Sequence, residues 1–226
     1  PSPSLLVAGA SPDEGGIVQR QNLENRTEGD LHLTWFQYSL QGEYWEFVNS
    51  VLCSHALNEF YTARRHLAEW WKKSGSYWEM DIQENYRKGD IVSIYISFDS
   101  YYSGAAHPNH GVETINILGP DAGIVTAADI FDHNLDALKF ISEYAAMDVR
   151  RQFLDESIVP SLNYYAETYG WELFNQFTFN EAGMRLNLST NSGLPHVLGT
   201  IDVYVPWESV NQYLSPACRH ALLGDA

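Results

Sequence analysis

An α+β fold, an antiparallel sheet of consecutive hairpins packed against two long helices, is predicted by the order in which two periodicities occur along the chain. Strand-like alternation comes in neighbouring pairs joined by short turns, as where Ser76 to Asn85 passes through Arg87-Lys88-Gly89-Asp90 into Ile91 to Phe98. Helical spacing comes instead as separate long inserts, Tyr44 to Lys73 and Asp132 to Asp155, which is not the strict alternation of a doubly wound parallel sheet. With 226 residues, 45% of them apolar, the chain can bury one sizeable core or two small ones packed together. No fixed-period repeat is visible.

Pro1 to Gly16 is rich in Pro, Gly and Ser and reads as a linker from a removed signal or anchor, so residues 1–28 are taken as an N-terminal extension. Leu31 to Tyr38 sets Leu31, Leu33 and Trp35 on one face and His32, Thr34 and Phe36 on the other, the pattern of a strand covered on both sides. Gln41-Gly42-Glu43 ends it. From Tyr44 on, Phe47, Val48, Val51, Leu52, His55, Ala56, Phe60, Leu67, Trp70 and Trp71 fall at three- and four-residue steps, giving one long amphipathic helix or two joined near Tyr61. Lys72 and Lys73 suit its C-terminus and Gly75 stops it. Val112 to Ile117 is a strand, after which Gly119-Pro120-Asp121-Ala122-Gly123 turns the chain into a short Ile124-Val125-Thr126 run, another hairpin.

The second helix has Leu135, Leu138, Ile141, Tyr144, Ala145 and Phe153 on one stripe, with Asn134 or Asp132 as its cap. Phe174 to Asn180 and Met184 to Leu188 flank Glu181-Ala182-Gly183 as a further hairpin, and Ile201 to Val205 is the last strand. Pro206 opens a short helix that turns Trp207, Val210 and Leu214 inward.

The formal charge of −16, from 13 Lys and Arg against 29 Asp and Glu, excludes a nucleic-acid binder. Such a surface either simply solvates the chain or steers a cationic partner to it. No apolar run approaches the roughly 20 residues of a membrane-spanning helix, and Ser4 to Ala10 is too short for a signal and lacks a basic start. Cys53 and Cys218 match no zinc or redox spacing; they form a disulfide of an oxidising compartment or remain two buried thiols. No motif calls for a cofactor.

Function is expected at Tyr101-Tyr102-Ser103-Gly104-Ala105-Ala106-His107-Pro108-Asn109-His110, a small-residue loop rimmed by aromatics and histidines and held between two strands. His107, His110 and Glu113 form H-x-x-H-x-x-E, but an extended strand sends its side chains to alternating faces and does not converge ligands on a metal. Ser103, His107 and Asp99 offer a nucleophile, base and acid without the sharp strand-to-helix elbow such a serine needs. The Asp13-Glu14 and Asp155-Glu156 pairs read as solvated rather than as a glycosidase dyad. His107 is better suited to bonding loop carbonyls left buried where the backbone is irregular. The 14% of aromatic residues can serve sugar or peptide recognition, although Trp70, Trp71, Tyr77 and Trp78 fall at core spacing. Asn25-Arg26-Thr27 and Asn187-Leu188-Ser189 match the glycosylation acceptor pattern, which matters only in a eukaryotic secretory setting.

The strand, the loop Tyr102-Ser103-Gly104-Ala105-Ala106-His107-Pro108-Asn109 and the strand bearing Thr114 and Asn116 together resemble a known signature. It is the Tyr-x-Gly-Gly-Ala-His-Pro pattern of the C-terminal domain (domain of unknown function 3298) of RsiV-type lysozyme-sensing anti-sigma factors and some peptidoglycan deacetylases. Thr126-Ala127-Ala128-Asp129-Ile130-Phe131, Phe177 to Met184, and Leu194 to Gly199 through Val203 to Trp207 are similar to later segments of that family in the same order. The resemblance covers roughly residues 95 to 214, with a looser likeness of Tyr44 to Asn85 to the smaller domain that precedes it. Two positions depart from the pattern: Ala105 stands at the second Gly, and His196 where Tyr is frequent.

The resemblance implies a smaller N-terminal α+β subdomain over 29–90 and an RsiV-like C-terminal domain over 91–226, packed as one unit. It also implies a non-catalytic extracytoplasmic module, secreted, periplasmic or envelope-anchored, that binds a cationic protein such as lysozyme or a cell-wall saccharide. Tyr101, Tyr102, Ser103, Asn109 and His110, with Ser189, Thr190, Asn191 and His196, are its expected contacts, while Gly104, Ala105 and His107 shape the loop. A hydrolase or other enzyme acting on cell-envelope polymers is the alternative, and it would need acidic or histidine side chains converging in a deep cleft near His107.

Overall fold

The computed structural model describes residues 18–25, 30–70, 75–153, 158–188 and 200–224. Five strands, β1 (Val18–Asn25), β2 (Asp30–Tyr38), β3 (Tyr77–Lys88), β4 (Ile91–Tyr101) and β5 (Asn109–Leu118), lie in one sheet in that order. Three more, β6 (Phe177–Phe179), β7 (Gly183–Leu188) and β8 (Ile201–Pro206), form a second, antiparallel sheet in the order β6-β7-β8. The helices are α1 (Glu43–Trp70), the single turns α2 (Gly119–Ala122) and α3 (Ala127–Ile130), then α4 (Leu135–Phe153), α5 (Ile158–Tyr169), α6 (Trp207–Val210) and α7 (Pro216–Leu223).

The α+β architecture is as the sequence predicts, with one pair that is not antiparallel. β2 and β3 run parallel, Asp30 to Thr34 against Tyr77 to Asp81, because α1 carries the chain back before β3 begins. A second difference is β1: Val18–Asn25 is not linker but an edge strand, antiparallel to β2 from Val18/Tyr38 to Asn25/Leu31. Its sequence carries little apolar alternation, so neighbouring backbone rather than a buried face defines it. The hairpin expected at Ile124 shrinks to a single bridge between Ile117 and Ile124.

The chain divides into two compact units, one of residues up to Gln83 with Ile96–Gly111, the other of Glu84–Tyr95 with Val112 onward. β3, β4 and β5 therefore each give residues to both.

In the first unit α1 buries Val48, Leu52, Ala56 and Phe60, a four-residue stripe, together with Leu31, Leu33 and Trp35 of β2 and Trp78, Met80 and Ile82 of β3. Phe60 and Trp78 meet edge to face at 6.2 Å. The entry to the helix is fixed twice over. Gly42 takes φ +113°, open only to glycine at low cost, and Asn49 clamps the end of β2 by accepting from Tyr38 N at 2.7 Å and donating to Tyr38 O at 2.9 Å.

The second unit is built around α4, α5 and the three-stranded sheet, with Ile141, Ala145, Val149, Leu162, Phe174, Phe177, Leu186, Val203 and Val205 among its buried residues. Asn134 is the α4 cap, its Oδ1 accepting from Asp136 N and Ala137 N. α3 opens with a reciprocal box: Thr126 Oγ1 accepts from Asp129 N, while the Asp129 carboxylate accepts from Thr126 N at 2.7 Å and Oγ1 at 2.6 Å. The Thr126 hydroxyl, partly opposed by burial, holds the Asp129 carboxyl below its ordinary range.

β6 has only three residues, and its outer edge is satisfied by side chains instead of another strand. Thr114 Oγ1 accepts from Phe177 N at 3.1 Å, Asn116 Nδ2 donates to Phe177 O at 2.7 Å, and Ser93 Oγ accepts from Phe179 N at 3.2 Å while donating to Asn116 Oδ1 at 2.7 Å. Ser93 and Asn116 are buried, so the bonds they make replace water that is absent. On β7, Asn187 is 1% exposed and donates to Asp202 Oδ1 of β8 at 2.7 Å.

Cys53 and Cys218 are free thiols, not a disulfide: Cys53 is half-buried on α1, and Cys218 is buried on α7, where desolvation pushes its thiol up. α5, α7 and the 3-10 turn Gly170–Phe174 have no counterpart in the sequence expectations.

Candidate binding surface

Seven residues, 102–108, join β4 to β5. Tyr102 to Ala105 is a β-turn closed by Ala105 N donating to Tyr102 O at 2.8 Å, with Gly104 at φ +101° in its third position. The single positive-φ site falls on the glycine that is present. Among the described residues only Asp132 and His133 are non-glycines with positive φ, so Ala105 carries no such strain.

The turn is held from below and from the side. Ser103 N donates to Oγ of buried Ser76 at 2.8 Å, and the Tyr101 hydroxyl donates to Ala105 O at 3.4 Å. Tyr101 in turn stacks on Tyr77 of β3, ring centroids 6.1 Å apart at 29°. At the β5 end Gly111 leaves room for the Phe98 ring, which occupies the space a Cβ would take.

Tyr102, Gly104, Ala105, Ala106, His107, Asn109 and His110 are exposed. His107 Nδ1 donates to Pro108 O at 2.9 Å, an exposed bond within the loop. His110 Nδ1 bonds the Asp99 carboxylate, so the acid of the imagined Ser103, His107, Asp99 set faces a different histidine. Among the described residues no three His, Cys, Asp or Glu converge as metal ligands. Ser189, Thr190, Asn191 and His196 lie outside the described residues.

A second concavity, which sequence reasoning missed, opens on the first unit's sheet. It has a volume of about 330 Å³ and is lined by His32, Thr34, Glu79, Met80, Asp81, Ser97 and Asp99. The signal was present in the alternation: Leu31 and Leu33 are buried, while His32 and Thr34 are only half-buried and line the groove, so β2 is not covered on both faces there. What sequence could not give is that β2 lies beside β3, setting His32 opposite Glu79 and Thr34 opposite Asp81.

Two sheets with helical inserts, a tethered β4–β5 loop and an acidic groove define a non-repetitive α+β architecture. No protein-family profile and no curated protein matches the chain in sequence. Solved structures share the fold: a DUF3298 family protein from Pseudomonas aeruginosa PAO1 superposes with a TM-score of 0.62 at 11% identity, over 89% of this chain and 95% of that one. A DUF3298 family member from Bacteroides fragilis NCTC 9343 gives 0.61 at 12% identity, over 96% and 93%. The chain has the fold of DUF3298 proteins along nearly its whole length.

Proposed function

We propose that this protein is a non-catalytic, extracytoplasmic binding module of the DUF3298 family, and that its β4–β5 loop meets a cationic protein of the lysozyme kind. The observation that carries this reading is the tethered loop: Tyr102 is exposed on a turn closed at Ala105 and tied at Ser103 to buried Ser76, and Asn109 and His110 are exposed at the start of β5. A loop fixed before contact loses little order on binding, and Tyr, Asn and His offer contact area with hydrogen-bonding tips. The charge of −16 supports a basic partner, which it would attract from solution. The envelope location comes with the family resemblance.

Calorimetry against hen egg-white lysozyme at low and moderate salt tests it. Binding is expected, weakening steeply with salt, and Tyr102→Ala is expected to weaken it about tenfold, the scale of one interfacial aromatic anchor. No heat at either salt overturns the lysozyme reading. Release of soluble fragments from peptidoglycan by this protein alone overturns the non-catalytic one.

A further inference from the structure

The described lining of the groove on the first unit's sheet is polar except for Met80. Cross-strand rows set Glu24 opposite His32 and His32 opposite Glu79, and then Asn22 opposite Thr34 and Thr34 opposite Asp81. Ser97 and Asp99 of β4 complete the lining, which among the described residues holds three carboxylates and no Lys or Arg. Asp81 Oδ2 accepts from Gln83, but its Oδ1 is buried without a hydrogen-bond partner. A buried acceptor left without a donor is costly, and rotation of the carboxylate about its last torsion would bring that oxygen out to a ligand N–H. Two residues along the same strands, about 7 Å away, stand the stacked rings of Tyr77 and Tyr101.

We propose that this groove binds an arginine side chain of a basic partner, its stem laid over the Tyr77 and Tyr101 pair and its guanidinium in the groove. The occupant is set by charge complementarity and by shape. A guanidinium is always charged, is weakly hydrated and stacks on aromatic rings, and its planar fork of N–H donors can serve Asp81 and Asp99 together, whereas an ammonium is a compact, strongly hydrated point. The inference goes beyond the loop reading: the groove adjoins the loop, since Asp99 bonds His110 and the Tyr101 hydroxyl donates to Ala105 O, but it does not depend on the partner being lysozyme-like.

Tri-arginine amide is the probe, titrated calorimetrically into the full chain at low salt. Tri-arginine is expected to bind more tightly than tri-lysine, and the doubly substituted Asp81→Asn, Asp99→Asn protein to bind it about tenfold more weakly. Asp121→Asn with Glu208→Gln, which removes the same charge from exposed positions elsewhere, is expected to change affinity by less than about twofold. Equal losses in the two double variants would mean diffuse attraction and overturn the site, as would equal binding of tri-lysine or no binding at all. Should the groove variant fail to fold, backbone amide shifts of the unsubstituted protein decide: changes centred on His32, Glu79, Asp81 and Asp99 support the site, and changes centred elsewhere refute it. Tyr102→Ala separates the two proposals, since it is expected to weaken lysozyme binding and leave tri-arginine affinity unchanged.

Discussion

In the second unit the polar side chains of β4 and β5 turn inward: Ser93 and Asn116 are buried, and with Thr114 they meet the backbone of Phe177 and Phe179 bond for bond. In the first unit the polar side chains of β2, β3 and β4 turn toward an open groove, where Asp81 keeps one buried oxygen without a partner. The strand type is the same in both. The difference teaches that pairing, more than burial alone, separates polar residues that hold a fold from those left available to a ligand.

The sharpest way to break that contrast is Asn116→Leu, which keeps the volume and strands the Phe177 carbonyl and the Ser93 hydroxyl. It is expected to cost about 3 kcal/mol, lowering the second unit's melting midpoint by about 6 to 12 °C in scanning calorimetry. A loss below about 1 kcal/mol would mean that the network is not what secures β6.

Next in size is Gly104→Val. Its φ of +101° is strained for any L side chain although the space around it is open, so the expected cost is about 1 to 2 kcal/mol. The strain is local, so faster amide exchange at Ser103 and Ala105, with the second unit's melting unchanged, is the measurement that checks it.

Thr126→Ala is expected to cost about 1 kcal/mol at neutral pH through the lost cap of α3. Asp129 titrates below its ordinary value in the folded protein, so its contribution is full above that value and is lost as pH falls through the lowered one. Melting curves of the variant and the parent should therefore draw closer below about pH 4, where the carboxylate of the unfolded chain is already protonated. A gap that stays constant from neutral pH to pH 3 would remove the carboxylate from the box.

The smallest effect is expected on the open side. Asp81→Asn gives up a charge with a costly unpaired oxygen, so stability should hold or rise, by no more than about 1 kcal/mol. A loss of 2 kcal/mol in urea unfolding would show Asp81 to be structural and would dissolve the contrast with Asn116.

Much of the scaffold could be read from periodicity. α1, α4, the β6–β7 hairpin and β8 follow from apolar spacing, because each buries one clear stripe. α5 could not, since Ile158 to Tyr169 carries Pro160 in its first turn and paired tyrosines instead of a clean alternation of apolar and charged residues. β1 has only Val18 and Leu23 as apolar residues and owes its form to pairing with β2. The candidate loop was legible because turn residues and aromatics mark it, while its tether to Ser76, 27 positions earlier in the chain, was not. The groove depends on the parallel pairing of β2 with β3 across a whole helix, a long-range choice that local pattern does not encode.

Asn187 has a practical consequence for making this protein. With Leu188 and Ser189 it forms a glycan acceptor pattern, yet in the fold its amide is sealed against Asp202 and only 1% of the residue is exposed. An oligosaccharyltransferase could reach it only on the unfolded chain, and a sugar added then would keep β7 from closing on β8. Yeast or mammalian secretion should therefore yield misfolded, retained material from chains modified there, and Ser189→Ala, which erases the acceptor while leaving the Asn187 bond, should restore export.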